Sequence, residues 1–221
     1  MAAYRAVTVV ANMKPTHTVA HTPRKAMVAT TVGPRVGRAT HNHFEVTLSV
    51  DGSGRCTSNT GIASIDAMMG AVAARAIFDL DVVGTVARAD DEIIFAEHTC
   101  ASIGRAAGAA LLAATGCEGF HGPNGPKGLR GSGNFSAVHG SAFVIVGIEL
   151  APRSLYSVHD GRVVDANNLI ITPTFFFLDA VAREAHLEVH ILIVSGTNDD
   201  VAAATIKGFA MALHDAVQES M

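Results

Sequence analysis

Three short segments hold most of the side chains that could do chemistry. In Glu97-His98-Thr99-Cys100-Ala101-Ser102 a carboxylate stands beside an imidazole, with a thiol two residues later. Gly196-Thr197-Asn198-Asp199-Asp200 ends in adjacent carboxylates, with Thr205 and Lys207 within two helical turns. Thr60-Gly61-Ile62-Ala63-Ser64-Ile65-Asp66-Ala67-Met68 carries one acid on a turn that opens a helix. Carboxylate oxygens suit hard cations, and imidazole adds affinity for transition metals. A hydroxyl close to Arg or Lys suits an anion. Cys100 would be a nucleophile only as a thiolate. Among alanines it reads as a small buried filler.

In this order and spacing the three segments resemble the imidazoleglycerol-phosphate dehydratase family, from about residue 38 to 218. The first family motif is T-G-I-x-F-L-D-H-M. Thr60, Gly61, Ile62, Asp66 and Met68 match it, and the ligand histidine is Ala67. The second is D-D-H-H-T-x-E-D, whose ligand places hold Glu97, His98 and Ala101. The third is H-H-x-x-E-A-x-F-K. With Lys207 aligned to its lysine, the histidine pair falls on Asp199-Asp200 and the glutamate on Ala203. A ligand in an L-H-I strand matches His190, and a functional E-T near the N-terminus aligns with Asn42-His43. Of eight expected ligand places only His98 and His190 keep their residue type.

The resemblance implies a two-manganese hydro-lyase of histidine biosynthesis, a cubic homo-oligomer with its metals between subunits. Alanine has no lone pair, so Ala67, Ala101 and Ala203 cannot take a ligand's part. Glu97, His98, His190, Asp199 and Asp200 are the donors left for a harder, poorer site for Mg²⁺, Ca²⁺ or Mn²⁺. The alternative is that the acids form a solvated turn and the histidines are packed remnants. The family's phosphate-binding residues match Arg153, Thr205 and Lys207; ordinary surface charge is the competing reading. A second family Arg has no counterpart near Gly119-Phe120, and Arg130 is the substitute on offer.

Those residues must be positioned by elements. The alternation of Phe44-Glu45-Val46-Thr47-Leu48-Ser49-Val50, ending at Asp51-Gly52, predicts a strand and a hairpin turn. A helix is expected over 64–78, strands over 80–86 and 93–95, and a helix over 101–115. The second half repeats this: a strand over 142–150 pairing with 154–158, a helix over 176–185, a strand over 188–194 and a helix over 202–217. The fold class is α+β: duplicated half-domains, each a mainly antiparallel sheet with two helices on one face. The division is a basic arm over 1–40, a first half over 41–116, a linker over 117–133 and a second half over 134–221. The joining stretch 116–133 holds seven glycines and two prolines and is expected to lack regular structure, with His121 exposed. The small residues Gly104, Ala107, Gly108, Ala110, Ala113 and Ala114 predict a helix wedged between a sheet and another layer.

With 221 residues and 49% apolar side chains the chain can bury a true core. The net charge is −4, yet Arg5, Lys14, Arg24, Lys25, Arg35 and Arg38 precede the first acid, Glu45. The first forty-four residues therefore carry +6 and the rest −10. Such an arm resembles an organellar transit segment, which places the protein in a mitochondrial or other organelle matrix; the alternatives are a retained arm against a neighbouring chain, and a cytoplasmic location. The spread of the charge argues against nucleic acid. Three cysteines without CxxC spacing fit a reducing compartment, and no stretch is apolar enough to span a membrane.

Three functions follow. One is a catalytically inactive relative kept as an assembly subunit, as a homo-oligomer or in a larger hetero-complex, with no cofactor. A second is an active Mn²⁺-dependent hydro-lyase with drifted ligands. The third is an anion- or phosphate-binding sensor.

Overall fold

The computed structural model describes residues 34–84, 92–116, 128–151, 153–162 and 173–220. The first half runs β1 (Val36–His41), β2 (Phe44–Ser49), β3 (Cys56–Asn59), α1 (Ala63–Ala76), β4 (Asp79–Val83) and α2 (Glu92–Thr115). The second runs β5 (Ser132–His139), β6 (Ala142–Leu150), β7 (Leu155–Asp160), α3 (Pro173–Glu184), β8 (Leu187–Ser195) and α4 (Asn198–Val217). The two sheets have the same order, β1-β2-β4-β3 and β5-β6-β8-β7. In each, two pairings are antiparallel and the last is parallel. The expected duplication is therefore present down to strand order.

Helices cover one face of each sheet. α2 lies on β1 and β2, and α4 on β5 and β6; α2 packs on α3 and α1 on α4. Among the described residues the helices thus lie between the two sheets, and one hydrophobic cluster runs through both halves. Close approach explains the small residues. A side chain on Gly37 would collide with the Ala110 carbonyl of α2, and one on Gly133 with the Ala212 carbonyl of α4. Gly104 and Gly108 give α2 the same intimacy with Phe177 and Val181 of α3. The wedged helix read from sequence is α2.

Side-chain bonds tie the halves. Arg35 holds Asp51 through a bidentate pair, which keeps that carboxyl below its usual range, and its Nη1 donates to Val217 O at the end of α4 (2.8 Å). His214 Nδ1 lies 2.7 Å from Ala76 O at the end of α1.

Several expectations need correction. The hairpin turn is Asn42-His43, joining β1 to β2, with Asn42 at φ 52°; it is not Asp51-Gly52. Asp51 instead receives Arg35. Residues 93–95 belong to α2, where a 24-residue helix outweighs the strand preference of three residues. β7 pairs in parallel with β8 and not with β6, because the α3 crossover returns the chain beside it. The arm cannot extend to residue 40, since β1 begins at Val36. The linker ends earlier than 133: Leu129 bridges Glu219 and β5 starts at Ser132. His121 and residues 85–86 lie outside the described residues, as do residues 1–33.

Candidate functional site

A cleft of about 390 Å³ opens between α1 and α4. From α1 come Ser64, Met68 and Arg75; from α4 come Asp199, Ala203 and Lys207; His139 and Thr174 complete the polar lining. The spacing 64, 68, 71, 75 is one helical face. That period in the sequence was the signal that would have added Arg75 to the candidate residues. Lys207 Nζ donates to Val138 O (3.3 Å). Among the described residues neither Arg75 nor Lys207 forms an ion pair.

The retained motif residues do structural work beside this cleft. Asp66 Oδ1 accepts from Ser58 Oγ (2.6 Å), Thr60 N (3.0 Å) and Thr60 Oγ1 (2.9 Å). Partial burial pushes its pKa up, but these bonds outweigh it and hold the carboxyl below its ordinary value. The clamp fastens the end of β3 to the first turn of α1. Thr60 is buried, and Gly61 takes φ 81° to make the turn.

Asp200, one of the two adjacent acids named from the sequence, is likewise engaged. Its Oδ2 accepts from Ser141 Oγ (2.7 Å) and Ser141 N (3.0 Å), which lower its pKa. Ser141 Oγ in turn accepts from Thr197 N (3.2 Å). Asp200 thus pins the β5–β6 turn to the start of α4, where Gly140 sits at φ 52° with its α-carbon against the carboxylate. The first half has a counterpart: Asn42 Nδ2 donates to Ser102 Oγ of α2 (2.9 Å).

The remaining sequence candidates are scattered. His98 is exposed and Glu97 half-exposed on α2. His190 alternates with buried Val189 and Ile191, so it faces out from sheet β5–β8, across the sheet from the helices. Asp199 alone of the five donors lines the cleft. Among the described residues no three His, Cys, Asp or Glu side chains are grouped to hold a metal ion.

The anion candidates do not converge within the chain. Arg153 pairs with Glu188 (2.7 Å) near the start of β8. Lys207 reaches Val138, whose partner Phe143 lies six residues of β6 from Glu149, the partner of Glu188. That separation is about 20 Å of strand. Thr205 is fully buried in α4 and its hydroxyl has no partner among the described residues, so it faces the core rather than an anion. Arg130 is exposed beside the end of α4, where its backbone N–H donates to Gln218 O (2.8 Å). Cys100 is buried, and burial pushes its thiol up to about 12, which removes it as a nucleophile near neutral pH. Among the described residues no helix is long and apolar enough to cross a membrane.

A sequence model described as imidazoleglycerol-phosphate dehydratase matches residues 60–213. The chain is 31% identical over 181 residues to the chloroplastic imidazoleglycerol-phosphate dehydratase of Pisum sativum, covering 80% of this chain but only 59% of that protein. It is 30% identical over 178 residues to the imidazoleglycerol-phosphate dehydratase of Synechococcus sp. strain WH7803, covering 79% and 81% of the two chains. The fold is similar to the crystal structure of the Staphylococcus aureus dehydratase, with a TM-score of 0.64 at 18% identity over 84% of this chain and 99% of that one. It is similar also to the Pyrococcus furiosus protein in complex with (S)-C348, with a TM-score of 0.59 at 20% identity over 83% and 94%.

Proposed function

Because the chain belongs to the imidazoleglycerol-phosphate dehydratase family, we propose that it is a catalytically silent member, kept as a structural subunit of an assembly of like chains. The observation that supports this best is what occupies the motif positions: bonds within the fold at some and no donor at others. Asp200 is consumed by the Ser141 turn, and Asp66 and Thr60 hold each other. Ala67, Ala101 and Ala203 offer no donor at all. These motif residues have a structural reason to persist that needs no metal.

The family resemblance implies two manganese ions, and the donor set does not fit them. The cleft brings Asp199 and His139. A neighbouring chain placing Glu97 and His98 over the same cleft would raise the total to four, half of the eight that the resemblance implies. His190 is across the sheet, and Asp200 is already bonded.

Metal analysis of the purified chain after equilibration with manganese tests this reading. The expected result is no stoichiometric tight binding. About two tightly held ions per chain would overturn it.

A second reading rests on Arg75 and Lys207, whose charges stand at the cleft without ion pairs among the described residues: retained binding of an anion. Phosphate that raises the melting temperature in the wild type, and not in Arg75→Gln, would favour it. The compartment we propose is an organelle matrix, on the basic, acid-free N-terminal stretch; fractionation of cells bearing the tagged protein decides between it and the cytoplasm.

A further inference from the structure

The duplication allows the α1–α4 cleft to be compared with its own counterpart. Exchanging the halves sets α1 on α3 and α4 on α2. Ile77 (φ 58°) and His186 (φ 55°) end the first helix of each half in the same left-handed conformation and fix one register. In it the buried Met69, Val72, Ala73 and Ala76 fall on the buried Leu178, Val181, Ala182 and Ala185. The carbonyls of Ala110 and Ala212, against Gly37 and Gly133, fix the other. Thr99, Ile103, Leu111 and Ala114 then fall on Val201, Thr205, Leu213 and Ala216, all buried.

α2 and α3 lie close together because a methyl on Gly104 or Gly108 would strike the carbonyls of Phe177 or Val181. The same places in α4 are Ile206 and Ala210. Ile206 holds α1 away, and it lines the gap together with Met68, the counterpart of Phe177. The cleft is thus a product of these residues and not of the shared topology. The charges differ as well. Arg75 and Lys207 correspond to Glu184 and Arg105. One half sets opposite charges at the two places. The other sets two cations over one cleft, where they repel unless an anion lies between them. A helix dipole favours a base in the last turn of α1, where Arg75 stands, but Lys207 is in the middle of α4.

The far end of the cleft has the opposite sign. α1 and α4 run the same way, since Ala76 at the end of α1 meets His214 in the last turn of α4. Ser64 in the first turn of α1 and Asp199 in the first turn of α4 therefore share one end, and both line the cleft. Asp199 is exposed and forms no ion pair among the described residues, whereas Asp200 is bonded to Ser141. Its α-carbon is about 12 Å along the helix axis from that of Lys207. Side chains on a helix lean towards its N-terminus, which shortens the gap between the charges. Met68, Ala203 and Ile206 give the space between them an apolar floor.

We propose that the cleft takes a short zwitterion, a phosphate monoester whose other end is a protonated amine. The inference rests on the anion reading given above and adds what the acid end recognises. The phosphate head, with a charge of about −1.5 to −2 near neutral pH, sits between Arg75 and Lys207. The ammonium group has three N–H donors. Asp199 takes one, and the hydroxyl oxygens of Ser64 and Thr174 offer acceptors for the others. The carbon chain lies along Met68 and Ile206. The amine meets the carboxylate directly, so no metal takes part in the binding.

The test uses the full chain, treated with a chelator, and measures binding by calorimetry at fixed pH and ionic strength. The probes are inorganic phosphate, glycerol phosphate and O-phosphoethanolamine. All are expected to bind, O-phosphoethanolamine about fivefold more tightly than glycerol phosphate, the upper range for a pair with an exposed carboxylate. Asp199→Asn removes one negative charge and strengthens both esters through the general field, so the ratio of the two is what is read. In this variant the ratio is expected to fall to about one; a thermal melt confirms its fold. Arg75→Gln is expected to weaken every probe. Equal binding of the two esters by the wild type, or a preference that survives Asp199→Asn, overturns this inference and leaves the anion reading standing. Failure of all the probes to bind overturns both. A preference for the amine that appears only with added manganese overturns the direct contact with Asp199.

Discussion

Replacing Asp66 separates a structural use of the T-G-I motif from a catalytic one. One oxygen, Oδ1, accepts three hydrogen bonds, two of them from Thr60, which is 1% exposed. Hydrogen bonds to a charged acceptor contribute about 1.5–3 kcal/mol each, and an orphaned buried N–H costs about 1–3 kcal/mol. The bonds share one oxygen and do not add fully, so Asp66→Ala is expected to cost about 3 kcal/mol, including a small loss at the helix N-terminus. Asp66→Asn keeps an oxygen in place and should cost about 1 kcal/mol. The sign with pH follows from the lowered folded pKa. The Asp66 contribution is present above the unfolded value of about 3.9 and is lost as pH falls through the folded value below it. Acid unfolding of Asp66→Asn should therefore be less steep with pH than that of the wild type. Urea melts at neutral and acidic pH measure all of this, with and without manganese. A cost below about 1 kcal/mol for Asp66→Ala, or a cost that appears only with manganese, would refute the structural assignment.

Two other substitutions test the packing. Ile77 ends α1 at φ 58°, a region that costs a β-branched residue about 1–2 kcal/mol, and it is half exposed. Ile77→Asn should raise stability by about 1 kcal/mol in a thermal melt, and a clear loss would show that the side chain matters more than the backbone. Gly37→Ala drives a methyl into the Ala110 carbonyl, backbone against backbone, so a loss of at least about 3 kcal/mol is expected by denaturant titration; Gly147→Ala, which has open space, is the harmless comparison.

The fold was legible where period and length agreed. β6, β8 and α4 announce themselves because their inward rows are unbroken, Val144, Val146 and Ile148 against Val189, Ile191 and Ile193. The strand partner of β7 was not legible, because a parallel neighbour is chosen by the α3 crossover and not by any residue of β7 itself. Nor was the start of α2, where Ile93, Ile94 and Phe95 favour strand locally and the long helix overrides them. At the site, sequence named Asp199 and Lys207, which the cleft does unite, and missed Arg75 and His139. It grouped His190 with them because alignment carries residue type but not the side of the sheet. It assigned Thr205 an anion when the helix turns that hydroxyl into the core. The structural duties of Asp66 and Asp200 had no signal in the sequence, since a carboxylate bonded to a turn and a carboxylate awaiting a cation are the same letter.

The most direct test of catalytic silence is turnover. The full-length chain, purified and equilibrated with manganese, is incubated with imidazoleglycerol phosphate, and consumption of the substrate is followed by phosphorus NMR beside the same buffer without protein. Consumption no faster than in the buffer is expected, with the chain folded and the Ser141–Asp200 and Thr60–Asp66 bonds intact. Manganese-dependent consumption by the unmodified chain, abolished by a chelator and restored by the metal, would contradict it.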